Sequence, residues 1–457
     1  MKNFGLLIVV FIVSRAISYF SGVRFGFEAL ADYWQYLDVY SLRFNLLHSI
    51  WYQCAQPPLF NIFLGCLLKA GGGDAPMVFQ VSLMILSIVN AVLLESIIRT
   101  LTANAKLSLI ISSLYLIAPA TLLLENELFY TTFNSCLLLT AVFMLLRLTR
   151  KASFLNAFLF FLSLALVCLT KSFYHLAWMA LVALLVMIKL FPTVSIKKTA
   201  LAALLPVCIV AGWYGKNYLL FGTFSASSWT GMNLARLVYH EKIISDTSSI
   251  ASVTPFSPVS SYAKFLDLVK HTQGFGNERV LKNEFKNEGK HINMFNENYL
   301  GISRLYLKVS REEILSNPGD YLNNVLKAGL IFFTPASSYF KVEENERKIN
   351  YYDAITTLNF SSFFADKPAR KRSLAVSSVP MMLLYAFVLF IFFRRSNYPG
   401  LLHPVEMFIV ITIIYSLLIS SFFEYGDNMR FRYEIQPLFL ILCAQYFKSF
   451  SGLKKCI

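Results

Sequence analysis

The chain has 457 residues, of which 56% are hydrophobic and only 15% are charged, and its formal net charge at pH 7 is +15. Soluble domains contain about 45–50% apolar and about 25% charged residues, so this composition excludes an ordinary soluble enzyme and a disordered chain. The positive charge does not indicate nucleic-acid binding, because lysine and arginine accumulate in the cytoplasmic loops of membrane proteins and face anionic lipid there.

Long apolar runs recur along the chain, and about 20 such residues cross a bilayer as a helix. They cover roughly residues 4–20, 77–97, 107–123, 128–146, 154–170, 173–190, 199–214, 376–393, 404–422 and 434–449. We interpret the first run as a span, because Ser14-Arg15-Ala16 is a poor site for signal-peptide cleavage. The sequence therefore predicts an all-α polytopic membrane protein with about ten transmembrane helices and a bilayer as its surroundings.

The distribution of basic residues predicts the orientation. With the amino terminus inside, the short outer loops carry only Lys171, Arg430 and Arg432, whereas every cytoplasmic segment carries lysine or arginine. Because basic residues mark the cytoplasmic side, both termini are predicted to be cytoplasmic.

This orientation divides the chain into three parts. Residues 1–214 form an amino-terminal transmembrane module with a first outer loop at 21–76, which we expect to contain interfacial helices. Residues 215–375 form a mixed outer region, in which the apolar segment 323–340 lies at the membrane interface. Residues 376–457 form the carboxy-terminal transmembrane helices.

Acidic residues stand out in the first outer loop. Asp32, Gln35 and Tyr36 have the spacing of one helical face, and Asp38 follows closely. A carboxylate here can act as general base toward an acceptor hydroxyl or amine, or hold a divalent ion. A solvated helix face, with Asp32 as an N-cap, is the simpler interpretation.

Two further features belong to the outer side. Pro57-Pro58 predicts a sharp corner between two helices, since proline suits the first turn of a helix. Glu125 and Glu127 lie in the tight loop before the fourth span, where a glutamate either projects toward the region of Asp32 or caps the helix.

The outer side also carries cations next to spans. Lys171 follows the fifth span, Lys216 and Asn217 end the seventh, and Arg430 and Arg432 precede the tenth. Such residues can bind a phosphate. Snorkelling to lipid headgroups and salt bridges within the loop are the competing interpretations.

Taken in order, these residues resemble the motifs of the GT-C superfamily of integral-membrane glycosyltransferases. The resemblance is strongest to family 39, which includes protein O-mannosyltransferases and lipid A aminoarabinose transferases. The matching positions are Asp32 with Tyr36, Pro57-Pro58-Leu59-Phe60, Glu127, Leu169-Thr170-Lys171, Trp213 to Gly222, and Asp427 with Arg430, Arg432 and Pro437. The chain departs from the pattern where Tyr33 replaces a second acid and lysine replaces arginine at positions 171 and 216.

The resemblance implies a transfer reaction on the periplasmic face of a bacterial inner membrane. The donor would be a polyprenyl-phosphate sugar, the acceptor a lipid or glycan of the envelope, and the outcome inversion at the anomeric carbon. Asp32 would act as general base, and Glu127 or Asp38 would supply a second acid. Family members differ in their need for a divalent metal ion, for which Asp32 and Glu127 are the expected ligands.

The remaining roles are also implied by the resemblance. The phosphate of the donor would be bound by Lys171, Lys216, Arg430 and Arg432. The substrate would be positioned by Gln35, Tyr36, Pro57, Pro58 and Asn217. The sequence does not specify the sugar or the acceptor.

Two other functions stay open at this point. A polymerase or ligase of lipid-linked glycans with another fold would also have many spans and a large outer loop. A transporter or lipid flippase would be expected to show paired repeats and helices broken at the bilayer midplane, which the sequence lacks.

Overall fold

The computed structural model describes residues 2–190, 195–239, 279–283, 285–287, 289, 291–357, 374–396 and 403–453. The helices before residue 240 are α1 Lys2–Phe20, α2 Ala29–Asp32, α3 Val39–Phe44, α4 Leu46–Tyr52, α5 Leu59–Gly71, α6 Ala75–Thr102, α7 Ala105–Ile117, α8 Pro119–Leu124, α9 Tyr130–Arg150, α10 Phe154–Thr170, α11 Leu176–Leu190, α12 Ile196–Phe221 and α13 Thr230–Val238.

The later elements include one small sheet. They are α14 Arg279–Lys282, β1 Phe285–Lys286, β2 His291–Ile292, α15 Asn298–Ser316, α16 Pro318–Phe333, α17 Glu343–Lys348, α18 Asn350–Thr357, α19 Leu374–Ser396, α20 Pro404–Phe423 and α21 Asn428–Leu453. Strands β1 and β2 pair antiparallel, with Phe285 opposite Ile292 and Lys286 opposite His291.

Each of the ten predicted apolar runs lies mostly on helices. Within the described ranges, six helical stretches are long and apolar enough to cross a membrane: Asn3–Phe20, Leu59–Thr102, Tyr130–Arg150, Lys197–Phe221, Ser377–Arg394 and Pro404–Phe423. Shorter apolar helices cover Ala105–Ile117, Phe154–Thr170 and Leu176–Ile188. The chain therefore has the architecture of an all-α, multi-pass membrane protein, and the count of ten crossings stays a prediction.

The surface of α1 supports contact with lipid. Val9, Ile12 and Ile17 each expose more than half of their surface along this helix. A contiguous apolar surface of this kind is typical of a membrane-facing helix rather than of a soluble protein.

The predicted run at 107–123 is interrupted in the structure. Helix α7 ends at Ile117, Ala118 is extended at φ −56° and ψ 134°, and α8 begins at Pro119. Proline has no N–H to donate and disfavours helical geometry in the residue before it, so the chain turns here. The short helix α8 then leads into the loop that carries Glu125 and Glu127.

The predicted interfacial segment 323–340 is α-helical only in its first part. Helix α16 packs against α19, α20 and α21 and ends at Phe333, before Pro335. Its depth relative to the bilayer stays a prediction.

Two close contacts involve α13 and the residue before it. At Gly231 on α13, an added Cβ would lie 1.8 Å from the Ser303 carbonyl oxygen of α15, so only glycine allows these helices to cross so closely. Just before α13, the Trp229 ring stacks on Trp34 of the loop, with centroids 4.2 Å apart. The tryptophan stack therefore joins the loop to the start of α13, which packs against α15.

Candidate active site

Glu127 lies where the first outer loop meets the turn between α8 and α9. A parallel bridge joins Gly26 to Glu127, and the Gly26 N–H donates to the Asn126 carbonyl at 3.0 Å. Farther along the loop, the Tyr36 hydroxyl donates to the Leu128 carbonyl at 2.6 Å. The backbone on both sides of Glu127 is thus fixed to the loop that carries the predicted acids.

Tyr33 is the direct partner of Glu127. Its hydroxyl donates to Glu127 Oε1, and the two side chains belong to buried residues. The Lys341 ammonium lies 4.5 Å from the Tyr33 ring centroid, on the segment after α16. A carboxylate, a phenol and a cation from three distant parts of the chain therefore meet here.

Burial changes the acidity of Glu127. Loss of hydration raises the pKa of this carboxyl to about 7, although the Tyr33 hydrogen bond and the charges of Lys341 and Arg430 act in the opposite direction. A carboxyl that titrates near neutral pH can accept a proton in one step and release it in another.

Arg430 supplies a buried cation beside this group. Its guanidinium lies 4.3 Å from the Phe129 ring centroid and 5.3 Å from that of Tyr339, and the residue is 4% exposed. Its Nη2 lies 3.7 Å from Asp427 Oδ2. Within the described part of the chain, its buried Nε and Nη1 have no hydrogen-bond acceptor. Because buried N–H groups are normally paired, this arrangement favours an anionic ligand.

Arg432 is arranged differently. Its Nε donates to the Phe332 carbonyl and its Nη2 to the Thr334 carbonyl, each at 3.0 Å. These are carbonyls at the carboxy-terminal end of α16, which need partners because the helix stops there. Arg432 therefore fastens α16 to α21, and this geometry gives no support to its predicted role in phosphate binding.

Lys171 is held in a buried ion pair. Its Nζ lies 2.6 Å from Glu434 Oε1, and Asn134 donates to the other carboxylate oxygen at 2.7 Å. The ammonium also lies 3.6 Å from the Phe431 ring centroid. Lys171 is near the Arg430 region, but its charge is already balanced by a carboxylate.

Lys216 lies at the proline corner. Its Nζ donates to the Gln53 carbonyl at 2.6 Å and lies 3.7 Å from the Trp213 ring. The Gln53 side chain in turn donates to the Pro57 carbonyl at 2.8 Å. Pro58 directly precedes α5, which confirms the predicted corner. Lys216 therefore stabilises the corner in this geometry.

Asn217, predicted as a substrate-positioning residue, also has a local partner. Its amide donates to the Ser225 carbonyl at 2.8 Å in the turn after α12.

Asp32 is at a more open edge than Glu127. Its side chain is 47% exposed, and its Oδ1 lies 3.2 Å from His291 Nε2 on β2. The neighbouring strand inserts Lys286, whose Nζ donates to the carbonyls of Tyr33 and Tyr36 at 2.5 and 2.9 Å. The small sheet therefore fixes the loop that joins Asp32 to Tyr36.

The predicted helical face through Asp32, Gln35 and Tyr36 is wrong. Helix α2 ends at Asp32, and Tyr33 is extended at φ −71° and ψ 125°. The Gln35 carbonyl instead accepts a hydrogen bond from the Asn61 amide at 3.2 Å. The loop is thus held by long-range hydrogen bonds rather than by helical periodicity.

Asp38 has a capping role. Its Oδ1 accepts the Tyr40 N–H of α3 at 2.8 Å, and its Oδ2 accepts the Asn287 N–H at 2.8 Å. Both oxygens are therefore used to hold local structure, as expected for an N-cap aspartate.

The donor set does not fit a divalent metal ion. No group of three histidine, cysteine, aspartate or glutamate side chains in the described ranges is placed to hold one. Glu127 faces Tyr33 and two cations, while Asp32 faces His291. Magnesium and calcium require several oxygen ligands, and nearby positive charges oppose their binding.

The chain was compared with protein-family models, with curated proteins and with solved structures, and none of these comparisons finds a match. The inference of a function therefore depends on the residues of this chain and on their geometry.

Proposed function

We propose that the chain is a GT-C-type glycosyltransferase that moves a sugar from a polyprenyl-phosphate donor to an envelope acceptor. The observation that carries this proposal is the placement of Glu127, whose carboxyl has a pKa near 7, beside Arg430, whose buried Nε and Nη1 have no acceptor in the described ranges. Sugar transfer from a phosphate needs a base for the attacking group and positive charge for the departing phosphate.

The proposed topology follows from the sequence and is compatible with the helices. Ten crossings of a bacterial inner membrane, with both termini cytoplasmic, put Glu127 and Arg430 on the periplasmic face. Glu127 lies just before the apolar helix α9, and Arg430 lies in the first turn of α21. A lipid-linked donor can therefore stay in the bilayer while its phosphate reaches the site.

The proposed reaction is a single displacement. An acceptor hydroxyl oxygen forms a bond to the anomeric carbon, and the bond from this carbon to the phosphate oxygen breaks. The phosphate leaves with the bonding electron pair, and the hydroxyl proton moves to the Glu127 carboxylate. Arg430 and Lys341 stabilise the charge that develops on the phosphate.

Glu127 and Asp32 are the two candidates for the base. Burial makes Glu127 the stronger base at neutral pH, since its pKa is about 7, and it lies beside the cations. Asp32 is half-exposed and contacts His291. We propose that Glu127 accepts the proton, and that Asp32 binds the acceptor at the open edge of the site.

A transfer assay tests the proposal. The purified protein in nanodiscs would be incubated with radiolabelled undecaprenyl-phosphate mannose, glucose, galactose and aminoarabinose, together with an envelope extract as acceptor. We expect one of these donors to give a labelled acceptor and free undecaprenyl phosphate. No transfer from any donor would contradict the proposal. A lengthened lipid-linked glycan would indicate a polymerase, and lipid movement without a covalent product would indicate a flippase.

Matched variants identify the residues that act in the transfer reaction. Glu127→Gln and Arg430→Gln should each lower the transfer rate by about a hundredfold or more, as expected for a lost base or a lost charge contact. Asp32→Asn should lower it as well, whereas Asp74→Asn, which changes an exposed acid before α6, should not. Full activity of Glu127→Gln and Arg430→Gln, with both proteins folded, would refute the site.

A further inference from the structure

Glu127 lies between cations and phenols. The groups that face its carboxyl are the cations of Lys341 and Arg430 and the phenols of Tyr33, Tyr36 and Tyr339. The closest acid to Arg430 is Asp427, which also lies 3.5 Å from Arg236. Asp427, Glu424 and Glu434 also act on Arg430, whereas the hydrogen-bond partner of Glu127 is the neutral phenol of Tyr33.

We propose that this site binds the phosphate of a polyprenyl phosphate directly through Arg430 and Lys341, without a divalent metal ion. The identity of the lipid rests on the function proposed above. The metal-free mode of binding is the new element.

The geometry leaves little opportunity for a metal ion. Glu127 Oε1 already accepts the Tyr33 hydroxyl, and Asp32 is engaged by His291. A divalent ion at Glu127 would also lie beside two cations, whose repulsion is strong because the site is buried. A phosphate is favoured at the same position, because both cations attract it.

The two cations offer different contacts to a phosphate. Arg430 presents two buried N–H groups that have no acceptor in the described ranges, and a guanidinium matches two phosphate oxygens in a fixed geometry. Lys341 is exposed above the Tyr33 ring and provides a mobile point charge at the edge. Because Tyr339 lies over the guanidinium, the segment that carries Tyr339 and Lys341 must shift when a phosphate enters.

Substitution of Glu127 distinguishes metal-free binding of the phosphate from metal-dependent binding. Without a metal ion, its carboxylate and the phosphate carry like charges and compete for Arg430. Removing the charge with Glu127→Gln should then strengthen phosphate binding. If Glu127 were a metal ligand, the same substitution would weaken binding in the presence of the metal ion.

Equilibrium binding of tritiated undecaprenyl phosphate to the full chain in nanodiscs tests the inference. We expect the same Kd in EDTA as in magnesium or manganese chloride. Arg430→Gln should raise Kd about tenfold or more and Lys341→Gln about threefold, while Glu127→Gln should lower it at least about threefold. Lys348→Gln, a matched charge loss on α17, should leave Kd unchanged.

The outcomes separate the two proposals. Binding that disappears in EDTA and returns with manganese would overturn the metal-free mode, and so would weaker binding by folded Glu127→Gln. Transfer activity that EDTA abolishes would overturn this inference and leave the proposed function standing. Metal-independent binding without transfer from any donor would overturn only the function, and no binding under any condition would overturn both. If Arg430→Gln does not fold, Arg430→Lys keeps the charge and tests whether the guanidinium must contact two phosphate oxygens at once.

Discussion

Two glutamates on one turn show how differently the same side chain is used. Glu125 is saturated, which means that both of its carboxylate oxygens have partners. Arg15 Nε donates to its Oε1 at 2.8 Å, and Arg15 Nη2 lies 2.5 Å from its Oε2. Arg15 also donates to the Leu116 carbonyl, so this pair joins α1 to the end of α7. Glu127 receives the Tyr33 hydroxyl and only faces its cations. A saturated pair holds helices together, whereas an unsaturated group is available for chemistry.

The two arginines of α21 repeat this contrast. Arg432 donates to two backbone carbonyls, while Arg430 keeps two buried N–H groups without an acceptor in the described ranges. Both are buried, and they are only two residues apart. Burial alone therefore does not identify a site residue; the unused hydrogen-bonding capacity does.

The largest expected effect is on stability, at the saturated glutamate. Glu125→Gln leaves Arg15 buried without its countercharge, which should lower the free energy of unfolding by about 3–5 kcal/mol. Glu127→Gln should not destabilise the protein, because it removes no ion pair of this kind. Thermal unfolding of both variants in the same detergent measures the difference. An equal loss of stability in the two would remove the distinction between them.

The second effect separates the two arginines. Arg432→Gln should lower the free energy of unfolding by about 3 kcal/mol, since the carbonyls of α16 lose a charged donor. Arg430→Gln should change stability much less and lose sugar transfer instead. Unfolding and transfer rates measured on the same preparations give the comparison. A destabilised Arg430→Gln with normal specific activity would assign both arginines to structure.

These contrasts also show what the sequence can predict. Apolar runs predict helices because a span must pair its own backbone and needs about 20 apolar residues. The corner at Pro57-Pro58 follows from the chemistry of proline in the same way. The interruption before Pro119 carries the same local signal, so it could have been predicted too.

The partners of the charged residues could not be predicted. Arg15 and Glu125 are 110 positions apart, and Lys171 and Glu434 are 263 apart. Arg15 within the first apolar run is itself a signal, since an arginine in a span needs a partner, but nothing local names that partner. Lys341 lies in a segment without a motif, and only the fold brings it to the loop.

The loop 32–36 shows a different limit. The spacing of polar residues there fits a helix, but the chain from Tyr33 to Tyr36 forms a turn whose two carbonyls bind Lys286. A long-range hydrogen bond thus overrides the local pattern. Tyr33, which stands where the family pattern has a second acid, becomes the residue that contacts Glu127.

The third effect is the dependence of stability on pH. Burial raises the pKa of Glu127 from an ordinary value of 4.5 to about 7, so the folded state holds this proton more tightly than the unfolded state. Its contribution is therefore fully present below pH 4.5 and is lost as the pH rises to about 7. The loss is of the order of 3 kcal/mol.

Thermal unfolding of the wild type and Glu127→Gln across this range isolates that contribution. The variant should be relatively more stable above pH 7, and the difference should shrink toward pH 4.5. Parallel pH profiles for the two proteins would show that Glu127 keeps an ordinary acidity.

The smallest effect tests the role of Tyr33. Its hydrogen bond lowers the pKa of Glu127, so Tyr33→Phe should raise that pKa further. Because the base must be ionised, the acid limb of the profile of kcat/KM against pH should then move to higher pH, by about half a pH unit. Tyr36→Phe is the matched control, since the Tyr36 hydroxyl donates to the Leu128 carbonyl instead of the carboxylate. A kcat/KM that is lower at every pH, with an unmoved acid limb, would show that Tyr33 contributes only to packing.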